Sequence, residues 1–263
     1  MKKSFFYLIG LLMATMIFSS NCFALEIGNQ KVEITASQTC VSRYIWRGQD
    51  LYADNDGAYQ PSLDISLPKL IYDTDLAFNV WGSFPVSAGH QDGEELDYTI
   101  TVSKEIYKDL NLSLGYTYFD FPNVSTTSDV QEPWISLSLA KIPGLGIDIS
   151  FDLFAGYDFK AVSGGPDQGW YYSWGLGTEI PLPSIALFQE GQTLSLGVVN
   201  WGNDGVADLE PNSLYATELS LSTSYAFGNF SITPSFNYTI NHEEKINNGD
   251  EEIWGGITLA YNF

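Results

Sequence analysis

The chain has 263 residues, 15% of them aromatic, with 32 acidic against 11 basic side chains and a net charge of −21. That balance excludes a nucleic-acid partner, because phosphate binding needs clustered Lys and Arg. The aromatic content excludes a disordered acidic tail. The composition instead requires a fold that keeps charge and apolar surface apart.

The N-terminus reads as an export signal. Lys2 and Lys3 are followed by an uncharged, mostly apolar run over residues 4–18, and Ala24 stands at a cleavage position with small Cys22 two residues before it. A basic start, a short apolar middle and small residues at the cut are the secretory pattern. The run is shorter than the roughly 20 residues a spanning helix needs. The expected organisation is a signal peptide over residues 1–24 and one domain over residues 25–263. That domain keeps only Cys40 and so has no intrachain disulfide.

Beyond the signal the hydropathy alternates with period two, the mark of strands with two different faces. In Leu110-Asn111-Leu112-Ser113-Leu114-Gly115-Tyr116, every even position is large and every odd one small or polar. Twelve such segments follow in order: residues 31–47, 59–67, 76–84, 96–104, 110–119, 133–141, 147–159, 170–180, 193–201, 215–227, 230–240 and 253–263. Most reach the roughly 9–11 residues with which a tilted strand crosses a bilayer.

Their connections alternate between short turns (68–75, 105–109, 142–146, 228–229) and longer, often acidic loops (48–58, 85–95, 120–132, 160–169, 202–214, 241–252). Transmembrane barrels show short turns at one end and long loops at the other. One connection departs from this: residues 181–192 stand where a short turn belongs, and fit a small plug, a short helix or a slipped register. An even strand count puts both termini on the periplasmic side.

The fold class expected is therefore all-β: a transmembrane antiparallel β-barrel of about 12 strands. Lipid offers backbone groups no water, so spanning strands must close without a free edge. A soluble sandwich alternates as well, burying its apolar face on a second sheet. Rings near strand ends, such as Tyr157, Phe159, Tyr225, Phe227, Tyr261 and Phe263, favour membrane interfaces instead. The terminal Phe263 after an alternating strand resembles the segment that the barrel-assembly machinery recognises.

Assigning the small, polar parity to the lumen yields candidate pore-lining residues. The acids are Asp64, Asp97, Asp148, Asp152, Glu179 and Glu218, joined by Asp158. The first segment adds Arg43 and Arg47, which form either a constriction with a transverse field or ion pairs that fill the interior. Trp81, Trp134 and Trp201 share this parity, with Phe119, Phe154, Tyr171 and Trp254. They suit a solute track or simple filling of a small barrel.

The stretch Ser42-Arg43-Tyr44-Ile45-Trp46-Arg47-Gly48, soon after a signal, resembles the start of the TorF family of porins. The resemblance is sharp in that stretch and extends over the rest by pattern. It implies an outer-membrane barrel with a channel role and brings no defined substrate or site residues.

An outer-membrane lipid hydrolase is the rival from another class. It would need a base beside a nucleophile, and the chain holds only His90 and His242. Asp54-Asn55-Asp56-Gly57 hints at a calcium loop, but the first and twelfth places fall on Tyr52 and Leu63. No metal or other cofactor is expected.

The function expected is passive diffusion of small hydrophilic solutes through an outer-membrane porin of a Gram-negative-type bacterium, with cation preference. A closed structural or adhesive barrel is the alternative. The expected partners are membrane lipid, lipopolysaccharide and the assembly machinery.

Overall fold

The computed structural model describes residues 25–27, 30–52, 56–87, 93–124, 129–143, 148–160, 168–183, 192–206 and 213–263. Sixteen strands form in them. They are β1 (Leu25–Ile27), β2 (Gln30–Val41), β3 (Ile45–Trp46), β4 (Gln49–Asp50), β5 (Ala58–Ile71), β6 (Thr74–Pro85), β7 (Glu95–Tyr107) and β8 (Leu110–Asp120). Then follow β9 (Val130–Leu139), β10 (Ile149–Lys160), β11 (Gly169–Pro181), β12 (Thr193–Asp204), β13 (Ser213–Thr223), β14 (Tyr225–Phe227), β15 (Phe230–Asn241) and β16 (Glu252–Asn262).

Twelve of these are the staves of a closed antiparallel barrel: β2, β5 to β13, β15 and β16. Each stave pairs with its sequence neighbour. Closure comes from β2, which pairs with β16 on one side (Thr39 opposite Thr258) and with β5 on the other (Ser37 opposite Ser62). No barrel edge is left to seek another chain. The terminal Phe263 is tied in, its N–H donating to the Ile34 carbonyl at 2.9 Å.

The alternation resolves into two faces. Outward side chains are large, apolar and exposed: Phe78 and Val80 on β6, Tyr98, Ile100 and Val102 on β7, Leu114 on β8, Leu219 and Leu221 on β13, Phe236 on β15. A continuous apolar exterior of this kind suits hydrocarbon. The inward residues between them are polar, small or aromatic.

The expected segment 215–227 is split at Ser224 into β13 and β14, although both pair with β15. The break falls opposite Pro234, whose ring removes a ladder donor. At the tight turn that follows, Gly228 takes φ +61, the positive first position of a II′ hairpin. Most of the irregular connection 181–192 lies outside the described residues.

The larger correction is in the first segment. It does not run on as a strand to residue 47. The stave β2 stops at Val41, and residues 42–52 leave the wall. Ser42 is held to the end of β16, where its N–H donates to the Gly255 carbonyl at 2.8 Å and its hydroxyl accepts from Gly255 N–H at 3.0 Å. The chain then turns inward as the two-stranded β3–β4 hairpin. Residues 48–52, expected as part of an outer loop, belong to this inward segment instead, and residues 53–55 lie outside the described residues.

Candidate functional site: a hairpin plug in the lumen

The hairpin pairs Trp46 with Gln49 and Ile45 with Asp50 around the two-residue turn Arg47-Gly48. Both turn residues have positive φ, +50 and +82. A type I′ turn requires this, and it suits Gly48 well but strains Arg47 by about 1–2 kcal/mol.

The turn is pressed against the wall at β15 and β13, two and three staves from β2. A Cβ placed on Gly48 would lie 2.3 Å from Ala216 Cβ on β13 and 3.7 Å from Thr239 Cγ2 on β15. Only glycine allows so close a backbone approach. From the loop before β16, Asn247 grips the hairpin twice. Its side-chain N–H donates to the Gly48 carbonyl at 3.1 Å, and its carbonyl accepts from Asp50 N–H at 2.8 Å.

Arg47 makes the decisive contact. Its guanidinium donates two parallel hydrogen bonds to Glu132 on β9, Nη1 to Oε2 at 2.6 Å and Nη2 to Oε1 at 2.8 Å. The two side chains are 9% and 2% exposed. Four rings surround the cation: Trp46 at 4.3 Å, Phe154 and Tyr171 each at 4.9 Å, and Trp201 at 5.5 Å from ring centroid to guanidinium carbon. Burial by itself would loosen the Arg47 proton, but the Glu132 carboxylate outweighs it and holds the group more firmly protonated than usual.

Two glycines let β9 lie this way. An added Cβ at Gly156 on β10 would sit 2.6 Å from the Glu132 carboxyl carbon, and one at Gly115 on β8 would sit 2.1 Å from the Trp134 ring. Glu132 and Trp134 thus rest in notches in the neighbouring staves. Trp134 Nε1 also donates to Thr117 Oγ1 at 3.2 Å.

The hairpin base is fixed on the opposite side. Tyr44 donates its hydroxyl to Glu95 on β7 at 2.7 Å and packs against Tyr52 and Trp81. Burial, and then the neighbouring Glu95, holds the Tyr44 hydroxyl well above its ordinary pKa, so it stays a donor. Tyr52 donates to Ser83 at 3.0 Å.

The expected lumen residues fall into two groups. Asp97, Glu218, Trp81, Trp134 and Trp201 stand on the inward face around the hairpin, and Arg43 forms an ion pair with Glu252. A cavity of about 230 Å³ lies among Arg43, Tyr44, Trp46, Trp81, Asp97 and Trp254. Asp64, Asp152 and Glu179 share the inward parity nearer the turn end and are exposed. Asp152 accepts from Ser138, and Asp64 accepts from Asn79 at 2.7 Å. Asp148 is apart from both groups, just before β10, in an ion pair with Lys141.

The loop-end half of the lumen is therefore packed with the hairpin, and the turn-end half is a polar vestibule. Reasoning from sequence missed Glu95 and Glu132 by assigning them to loops. Each stands two residues before an assigned lumen residue, Asp97 and Trp134, and parity would have placed them. His242 Nε2 lies 2.8 Å from Thr217 Oγ1, and His90 is outside the described residues.

No family model matches the chain, and neither does any curated protein. Solved structures do. The crystal structure of the COG4313 outer membrane channel from Pseudomonas putida F1 superposes with a TM-score of 0.51 at 11% identity, over 93% of this chain and 98% of that one. CdiB from Acinetobacter baumannii gives 0.50 at 9% identity, over 88% of this chain and 60% of that one. A KdgM porin gives 0.47 at 9% identity, over 88% and 99%. At these identities the first two likenesses speak for the barrel fold alone.

Proposed function

We propose that the chain is a porin-type channel of the outer membrane of a Gram-negative-type bacterium, passing small hydrophilic solutes with cation preference, with the β3–β4 hairpin as its constriction. One observation carries this reading: below the hairpin the inward face is hydrophilic and solvent-exposed, with Asp64, Asp152 and Glu179 unburied. A barrel needed only as a scaffold has no use for an accessible acidic interior. Such a vestibule concentrates cations and repels anions. The likeness to an outer membrane channel agrees with this reading and says nothing of the solute.

The same reading takes residues 1–24 as the export signal and the end at Phe263 as the segment delivered to the assembly machinery. Membrane lipid and lipopolysaccharide are then its surroundings. Membership of the TorF family fits too, resting on the Ser42 to Gly48 stretch that builds the hairpin. The channel needs no cofactor and no catalytic residue.

A closed structural barrel is the second reading, favoured by the burial of the Arg47–Glu132 pair. Single-channel recording of the refolded protein in a planar bilayer under a salt gradient separates the two. Discrete steps with a cation-biased reversal potential are expected. A silent bilayer, with folding verified by heat-dependent gel mobility, would overturn the channel reading.

A further inference from the structure

A second cavity, of about 310 Å³, lies on the loop side of the hairpin. Tyr44 and Trp46 border both this space and the inner one, so the hairpin forms the partition. The walls include Trp46, Phe119, Phe121 and Tyr171, and two carboxylates reach it, Glu95 and Asp158. The volume is at the small end of ligand pockets.

The two acids are deeply buried, Glu95 at 3% and Asp158 at 6% exposed. Glu95 is oriented by the Tyr44 hydroxyl. Asp158 Oδ1 has no hydrogen-bond donor among the described residues, although the Asp158 carboxyl lies within hydrogen-bond reach of the Glu132 carboxyl. A buried carboxylate oxygen without a donor is costly, and its position in a cavity wall invites an external donor.

The distribution of acidic and basic residues points the same way. Glu95, Asp97, Glu132, Asp158, Glu218 and Glu252 face the loop-end interior, against Arg43 and Arg47. Arg47 is already spent on Glu132. The described lining of the outer cavity holds no Lys or Arg at all.

The chemistry that would suit this space is displayed next to it. Arg47 is a cation held by a carboxylate and by aromatic rings, and two of those rings, Trp46 and Tyr171, also line the outer cavity. Rings and carboxylates together select organic cations over bare metal ions, because a ring face attracts a weakly hydrated ammonium or guanidinium well.

We propose that this outer cavity is a binding site for a small organic cation, an alkylammonium or alkylguanidinium, whose charged head bonds Asp158 and Glu95 and whose stem packs on Trp46, Phe119 and Phe121. The site goes beyond a channel role and needs no ion flow, so a silent bilayer leaves it standing.

The test uses the refolded full chain in detergent micelles, titrated with n-butylammonium chloride and followed by tryptophan fluorescence and calorimetry. Saturable binding is expected, with n-butanol and potassium chloride giving none at the same concentrations. Asp158→Asn should weaken it about tenfold, as loss of a charge-assisted bond does. Phe121→Ala, outside the staves, should weaken it several-fold and serves alone if the Asp158 variant fails to refold. Equal binding of n-butanol, equal competition by potassium, or unchanged affinity in a folded variant would each overturn the proposal.

Discussion

Arg47 and Glu132, 85 residues apart in sequence, meet in two parallel hydrogen bonds of 2.6 and 2.8 Å inside the barrel. Removing one partner of a buried pair leaves the other charge uncompensated and costs about 3–5 kcal/mol. The staves do not depend on that pair, since their ladders close without the hairpin. Arg47→Ala should therefore free the hairpin and leave the barrel folded. The expected result is a larger single-channel conductance with unchanged heat-dependent gel mobility. Unchanged conductance would show that the hairpin stays seated without its arginine.

The same seal can be loosened from behind. A side chain at Gly156 must displace the Glu132 carboxylate, which sits 2.6 Å from the added Cβ. Gly156→Val should raise conductance in the direction of Arg47→Ala although it removes no charge. Combining the two should add little, because both act on one contact and such pairs are not additive. Full additivity in the conductance of the double variant would break this link.

Two glycines with positive φ separate strain from collision. Gly48 has φ +82 and almost touches Ala216, whereas Gly228 has φ +61 and nothing within 4 Å of its added Cβ. Gly228→Ala should cost about 1–2 kcal/mol of conformational strain in urea unfolding and leave conductance alone. Gly48→Ala carries similar strain plus the clash, and should displace the plug as well. Matching phenotypes for the two would mean that Gly48 is not held against β13.

Strand period and turn chemistry carry the barrel, and both are local properties of the chain. Every one of the twelve alternating segments falls on a stave, because a one-residue slip would turn the whole apolar set inward. The plug was not legible in the same way. Val41 to Arg47 keeps the strand period across Arg43, Ile45 and Arg47, so the sequence reads straight through the point where the wall ends. What redirects the chain is tertiary: the Ser42 bonds to Gly255, the Tyr44 bond to Glu95 and the room left by Gly48. Arg47-Gly48 can take a I′ turn, yet nothing local says that it must. The inward side of Asp97 and Trp201 follows from parity alone, whereas Glu132 as the partner of Arg47 depends on a contact made across the lumen.

Exposed carboxylates below the plug set the last expectation. Asp64, Asp152 and Glu179 face inward and are accessible to solvent. An acidic vestibule raises the local cation concentration, and ions passing the hairpin feel that excess. Neutralising Asp152 and Glu179 with Asn and Gln should shift the reversal potential under a salt gradient toward zero. Asp148 gives the control. It lies outside the strand in an ion pair with Lys141, so Asp148→Asn removes one charge of a compensated pair at the rim and should move the potential much less. Salt sharpens the comparison, because the Debye length falls from about 10 Å at 0.1 M to about 3 Å at 1 M. The shift from the Asp152 and Glu179 changes should fade across that range. A selectivity unmoved by those two changes at low salt would assign the cation preference to the Arg47–Glu132 region instead of the vestibule.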